Sequence, residues 1–510
     1  MPVDLKTPAT SFSRDLKANV TSGLCWSAAG RVVQQIIQFG ISVVLARLLS
    51  PKEYGLMAMA MVFTGFAGML AEAGFNTAIV QRKELKETHT HTVFWMTFGS
   101  GLALTALTFV LSPWLAEFFK APSLKPIFRV ISLNFIFGGI GNVPSALLQR
   151  QMQFRTIAQI DICSLLLSGI VGIVMALESA GVWSLVAQSI SASLLTGLFR
   201  CISCRWHPKA IFCRSALSEI WSFSGYLYGF NFINYWARNA DNLLVGKYFG
   251  APALGVYNRA YALMLLPVTQ INSVISQVIF PAFSSIQDDK KRVKGIYLRA
   301  IGVVALLAFP IMLGMFVTAR PFVETLYGAK WLNVVPILQI LALVGAMQVL
   351  INSTGWLFFS QGRTDVLFRW GVCLATLTIS SFVVGVMLGS VRAMAYCYAI
   401  ANLVFVVPGL AVAGRIVDIK LNELFAAVSG PLFISFFMAG VVAAVHLVLP
   451  PQWPAWRTLG VLVGTGMTFY AAIVHFFMLS AWKELMQAIQ ANLGISLKQK
   501  PTRHLQHLHQ

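Results

Sequence analysis

The sequence predicts an all-α polytopic membrane protein of about fourteen transmembrane helices, built as two pseudo-symmetric six-helix lobes around a central cavity plus two C-terminal helices. Composition is the first reason. Of 510 residues, 57% are hydrophobic and only 11% are charged, with a mean hydropathy of +0.72, whereas a soluble domain carries roughly 25% charged residues. Run length is the second, because about 20 apolar residues cross a bilayer core and such stretches recur along the whole chain. An internal repeat is the third. Continuous apolar runs such as Val461 to Leu479 leave no polar face for a barrel lumen, which excludes the alternation of membrane β-strands.

The first group of spans is expected at 23–49, 54–76, 92–112, 126–148, 157–178 and 181–203. The second is expected at 218–249, 255–280, 296–318, 333–359, 365–389 and 391–414, and two more follow at 424–449 and 456–481. The domains read accordingly: residues 1–22 a cytoplasmic segment, 23–210 an N-lobe, 211–416 a C-lobe, 417–481 the two added helices and 482–510 a cytoplasmic tail. The stretch from Gly23 to Leu49 has no small-residue cleavage site and is expected to stay in the membrane.

The two groups of six read as copies. At an offset of 200, Leu45 to Ser50 faces Val245 to Gly250, and Gly55 faces Gly255. At an offset of 210, Pro126 to Leu133 faces Pro336 to Leu343, and Asn142, Leu147 and Gln151 face Asn352, Leu357 and Gln361. An even number of spans per copy makes this a parallel repeat about an axis along the membrane normal, with substrate expected between the copies.

The formal net charge is +20. In a soluble protein that would suggest a nucleic-acid partner; here the positive-inside rule explains it, since the majority of Lys and Arg fall on the side of Lys6, Arg14 and Lys17. Both termini are therefore expected in the cytoplasm. Of the seven cysteines, Cys25, Cys163, Cys373 and Cys397 lie in apolar spans. Cys201, Cys204, His207 and Cys213 have ligand types suited to zinc, but they sit among Arg200, Arg205, Lys209 and Arg214 and lack a second C-x-x-C, so metal binding stays open.

Candidate binding residues come from polar stripes at bilayer depth. Arg31, Gln34, Gln35 and Gln38 are spaced i, i+3, i+4, i+7 on one face of the first span. An arginine near mid-bilayer costs at least about 2.5 kcal/mol, so this face should meet a wet cavity or a partner. The seventh span repeats the pattern with Asn231, Asn234, Tyr235 and Arg238, continued by Asp241 and Asn242. Interhelical hydrogen bonding is the competing reading of both stripes. Arg238 and Asp241, as i, i+3 neighbours, are expected to pair, which leaves Arg31 the better anion ligand. Asp161, Glu72 and Asp241 are the acids that could carry a coupling proton, Asp161 first because no basic residue lies at i±3 or i±4 on its own helix, and Glu72 second; Asp161 and Glu72 read equally well as counter-ions.

No enzyme signature is present: there is no G-x-x-x-x-G-K-[ST], H-E-x-x-H or G-x-S-x-G, and no Asp-x-Asp pair. No cofactor is expected. The segments LARLLSPKEYGLMAMAMVF and EAGFNTAIVQR, within Ala28 to Arg82, and RNADNLLVGKYFGAPALGVYNRAYALMLLPV, residues 238–268, resemble the polysaccharide-export branch of the multidrug/oligosaccharidyl-lipid/polysaccharide exporter superfamily, and are most similar to Wzx-type flippases of the colanic-acid and xanthan kind. The resemblance implies twelve core spans plus two, in a bacterial inner membrane. It further implies a flippase turning an undecaprenyl-diphosphate-linked oligosaccharide from one leaflet to the other, with polymerase and export machinery as possible partners and no nucleic acid. A cation-coupled drug antiporter of the same superfamily would need a cavity for a cation, which Arg31 disfavours; a membrane glycan polymerase or ligase would need a large external loop, which is missing.

Overall fold

Helices follow the apolar stretches closely because hydrocarbon offers no partner for a free N–H or C=O, so only a backbone that satisfies itself can cross. The structure, a computed structural model, describes residues 15–72, 76, 79–80, 82 and 85–476, and among these no strand occurs. The first group comprises α1 (Asp15–Leu48), α2 (Pro51–Glu72), α3 (Glu87–Phe118), α4 (Leu124–Ile131), α5 (Leu133–Arg150), α6 (Phe154–Leu177) and α7 (Val182–Cys204). The fourth expected span is thus two helices that meet at Ser132, whose hydroxyl donates to the Arg129 carbonyl. The long α8 (Arg214–Ser285) covers the expected seventh and eighth spans, with non-helical backbone at Gly250 between them. Then come α9 (Lys290–Tyr327), α10 (Val334–Ser360), α11 (Thr364–Met387), α12 (Val391–Gly414), α13 (Leu421–Val448) and α14 (Ala455–Phe476). Twelve stretches among the described residues are long and apolar enough to span a membrane. The protein is an all-α polytopic membrane protein. Residues 1–14 of the expected N-terminal segment, the end of the expected last span at 477–481 and the expected tail 482–510 lie outside the described residues.

Contacts group the chain into two compact units. One comprises residues 1–262, 323–337 and 374–398; the other comprises 263–322, 338–373 and 399–510. In the first unit α6 packs on both α7 and α1, and α5 on α3 and α7. In the second, α13 pairs with α14, and the Tyr470 hydroxyl of α14 donates to the Leu306 carbonyl of α9 at 2.9 Å. Lys294 at the start of α9 reaches Glu423 at 2.7 Å and the Asp418 carbonyl at 3.1 Å.

The turns on which the repeat is centred have local causes. Ser50-Pro51-Lys52-Glu53 starts α2 with proline at its first helical position, and Glu53 reaches back to accept from the Ser50 N–H. At the matching place Gly250 turns the chain with φ +79° and ψ 179°, a region that side chains rarely enter.

Candidate functional site

On α1, Arg31 and Gln38 are exposed and Gln34 and Gln35 half-buried, so the polar stripe is partly open, and Val32, Val33 and Ile36 are exposed on another face. The packed side is made of small and aliphatic residues: Gly30 lies against Ala158, and Ile41 against Gly169, both on α6. No carboxylate among the described residues comes within ion-pair distance of Arg31. A guanidinium offered this way can hold an anion such as a phosphate through its planar fork.

The matching stripe on α8 is arranged differently. Arg238 is exposed, but the expected pairing with Asp241 is not formed. Asp241 is 2% exposed and turns to neutral donors: the Tyr257 hydroxyl at 3.0 Å and the Asn242 N–H at 2.7 Å. Tyr257 in turn stacks on Tyr261 with ring centroids 6.1 Å apart. A hydroxyl already inside the packed interface costs less to use than bringing an exposed arginine into it, which is why sequence proximity loses here. Tyr235 ties α8 to α2: its hydroxyl donates to the Val62 carbonyl at 2.6 Å, and its ring lies beside Phe66 at 5.7 Å. The side chains of Asn231, Asn234 and Glu72 lie outside the described residues.

Asp161 has a partner from another helix. Arg200 of α7 donates to it at 3.0 Å, both side chains being about three-quarters enclosed. The cysteine-bearing segment after α7 is held to α3 by ordinary hydrogen bonds. The Lys209 N–H donates to His91 Nδ1 at 3.1 Å, the Cys213 N–H to Thr92 Oγ1 at 3.1 Å, and the Trp95 indole to the Lys209 carbonyl at 2.8 Å. Cys201 points its thiol at the Ile140 carbonyl, and among the described residues no three metal-ligating side chains gather.

Sequence reasoning overlooked the polar work done around the two repeat-matched turns. A Cβ placed on Gly55 would lie 1.7 Å from the Ala251 carbonyl oxygen, and one on Gly255 would lie 1.9 Å from the Pro51 carbonyl oxygen. Each copy thus lays its glycine on the other copy's turn. Arg47 donates to the Leu326 carbonyl at 3.0 Å and to that of Thr325, while its counterpart Lys247 sits 4.2 Å over the Phe118 ring. Arg259 stacks on Tyr54 at 3.8 Å and donates to Ser42 at 2.7 Å, and the Trp331 indole donates to the Ala46 carbonyl at 2.7 Å. The signal was present as equal spacing of Gly55 with Gly255 and Arg47 with Lys247; the alignment showed duplication but not mutual contact.

Comparisons agree with this architecture. The chain is 29% identical over 426 residues to the teichuronic acid biosynthesis protein TuaB of Bacillus subtilis (strain 168), covering 83% of this chain and 88% of that one. It is 29% identical over 391 residues to the succinoglycan biosynthesis transport protein ExoT of Rhizobium meliloti (strain 1021), covering 76% and 78%. Among solved structures it superposes on the lipid II flippase MurJ, in an inward closed conformation, with a TM-score of 0.71 at 15% identity, covering 90% of this chain and 99% of that one. At that identity the likeness speaks to the fold. The sequence profile described as "Polysaccharide biosynthesis protein" matches residues 44–336, more than half of the chain, and the chain belongs to that family.

Proposed function

We propose that this protein is a flippase of the bacterial inner membrane, which turns undecaprenyl-diphosphate-linked oligosaccharide repeat units from the cytoplasmic to the outer leaflet for exopolysaccharide or O-antigen assembly. Both termini are cytoplasmic in this reading, and the two six-helix lobes work by alternating access, one moving against the other. The translocated units pass to polymerase and export machinery. The observation that carries it is Arg31, an exposed guanidinium without a carboxylate partner among the described residues, on a membrane helix of a polysaccharide biosynthesis protein. A diphosphate needs such a cation away from bulk water; Gln34, Gln35 and Gln38, with Asn231, Asn234, Tyr235 and Arg238 on α8, supply amides, a ring and a second charge for the head group. Arg31→Ala is expected to stop export while the protein stays in the membrane at normal level, and Arg31→Lys to restore part of it as a point charge without the fork. Export at the wild-type rate by the Ala variant would falsify this assignment.

For coupling we favour Asp241 over Asp161, which already holds Arg200, and over Glu72. Asp241 is enclosed and among the described residues accepts from neutral donors without an ion pair, so loading it with a proton breaks none there. Asp241→Asn mimics the loaded form. In vesicles it should still exchange lipid-linked substrate between leaflets but no longer respond to an imposed proton gradient; a response like that of the wild type assigns Asp241 a purely structural role.

A further inference from the structure

The part of α8 beyond Gly250 carries polar groups within the expected eighth span that neither stripe includes. Thr269, Ser273 and Gln277 follow one another at i, i+4, i+8, which places them within one narrow arc of the helix. Thr269 and Gln277 are exposed and Ser273 half-buried, while Met264 and Val268 on the other side are buried. Gln270 is exposed beside them, and exposed Val274 marks the edge of the polar strip. All lie within the expected span 255–280, in the half farther from Gly250, where an amide turned to lipid would lose its hydrogen bonds at a cost of several kcal/mol.

The chemistry of the strip is narrow. The Thr269 hydroxyl spends its proton on the Leu265 and Leu266 carbonyls at 3.0 Å each, and Ser273 donates to the Gln270 carbonyl at 3.0 Å. Their remaining lone pairs are therefore acceptors on the open side, and the Gln277 amide adds both donor and acceptor. No charged residue occurs between Arg259 and Asp288. The strip thus offers a diphosphate no cation, yet matches a neutral ligand rich in hydroxyls. Over eight residues it runs about 12 Å, long enough to lie along more than one sugar ring.

We propose that Thr269, Ser273 and Gln277 form a saccharide-reading face, which binds the glycan of the transported lipid separately from its phosphates. The proposal rests on the flippase reading. It is tested with the full-length protein in nanodiscs and two probes: lipid-linked oligosaccharide extracted from cells lacking this protein, and undecaprenyl diphosphate without sugar. Wild type should bind the sugar-bearing lipid at least roughly tenfold more tightly, a difference of the size one or two hydrogen bonds can supply. Thr269→Val and Gln277→Leu should each bring that ratio down toward one while leaving affinity for undecaprenyl diphosphate unchanged, which also reports intact folding. Ser273→Ala provides the same reading if a larger change prevents folding. Variants that keep the wild-type ratio, or a wild type that binds both probes equally, overturn the saccharide face and leave the flippase reading standing. Binding of neither probe by wild type overturns both.

Discussion

Residues 48–55 and 248–255 occupy matching places in the two copies, yet they are built from different chemistry. The first turn is held by a capping interaction, with Glu53 accepting from the Ser50 N–H. The second has no such cap and relies on the backbone freedom of Gly250 at φ +79°. Flanking charges diverge likewise: Arg47 is spent on two carbonyls, Lys247 on the face of Phe118. What is shared is Gly55 and Gly255, each lying under the other copy's turn. Local devices for turning a chain are interchangeable, so the two turns can use different ones. A backbone approach in which both copies must leave out a side chain has no substitute.

The largest effect should come from breaking the shared feature. Gly55→Val or Gly255→Val places carbon where a carbonyl oxygen already sits, and since backbone rather than a flexible side chain opposes it, the turns must separate. Either variant should reduce export to near background, and a cysteine introduced at Ala251 should become reactive to a water-soluble maleimide. Wild-type export with an unreactive cysteine would show that the contact is dispensable.

Gly250→Ala sharpens the contrast, because a Cβ there meets nothing closer than 4.0 Å. Its cost is conformational only, about 1–3 kcal/mol. Glu53→Ala at the matching turn loses one capping interaction, about 1 kcal/mol. Thermal unfolding in detergent should rank them in that order; equal shifts would mean the two turns are less different than their geometry indicates.

The smallest effects belong to the flanking charges. Lys247→Ala loses one exposed cation–π contact, about 0.5–1 kcal/mol, and Arg47→Ala somewhat more because two charge-assisted hydrogen bonds go with it. Arg47→Lys should recover little, since a single ammonium cannot reproduce the fork, whereas Lys247→Arg should be neutral. Unfolding midpoints of the four variants decide this, and full rescue by Arg47→Lys would remove the asymmetry.

Hydropathy is a sum over neighbours in the chain, and it was enough to place most of the spans and the all-helical class. Ser132, which splits the fourth span, left no hydropathy signal because serine is tolerated inside apolar helices. The stripe of Arg31, Gln34, Gln35 and Gln38 was legible because helical periodicity alone puts those residues on one face. Partner choice was not. Asp161 meets Arg200 across 39 residues, and Asp241 passes over Arg238 for Tyr257. Such outcomes depend on which helix face is buried and what the neighbouring helix presents there. Gly55 and Gly255 show the same division: their equal spacing is written in the chain, but only the folded structure lays each against the other copy's carbonyl, since that approach depends on how the helices pack and on no sequence spacing.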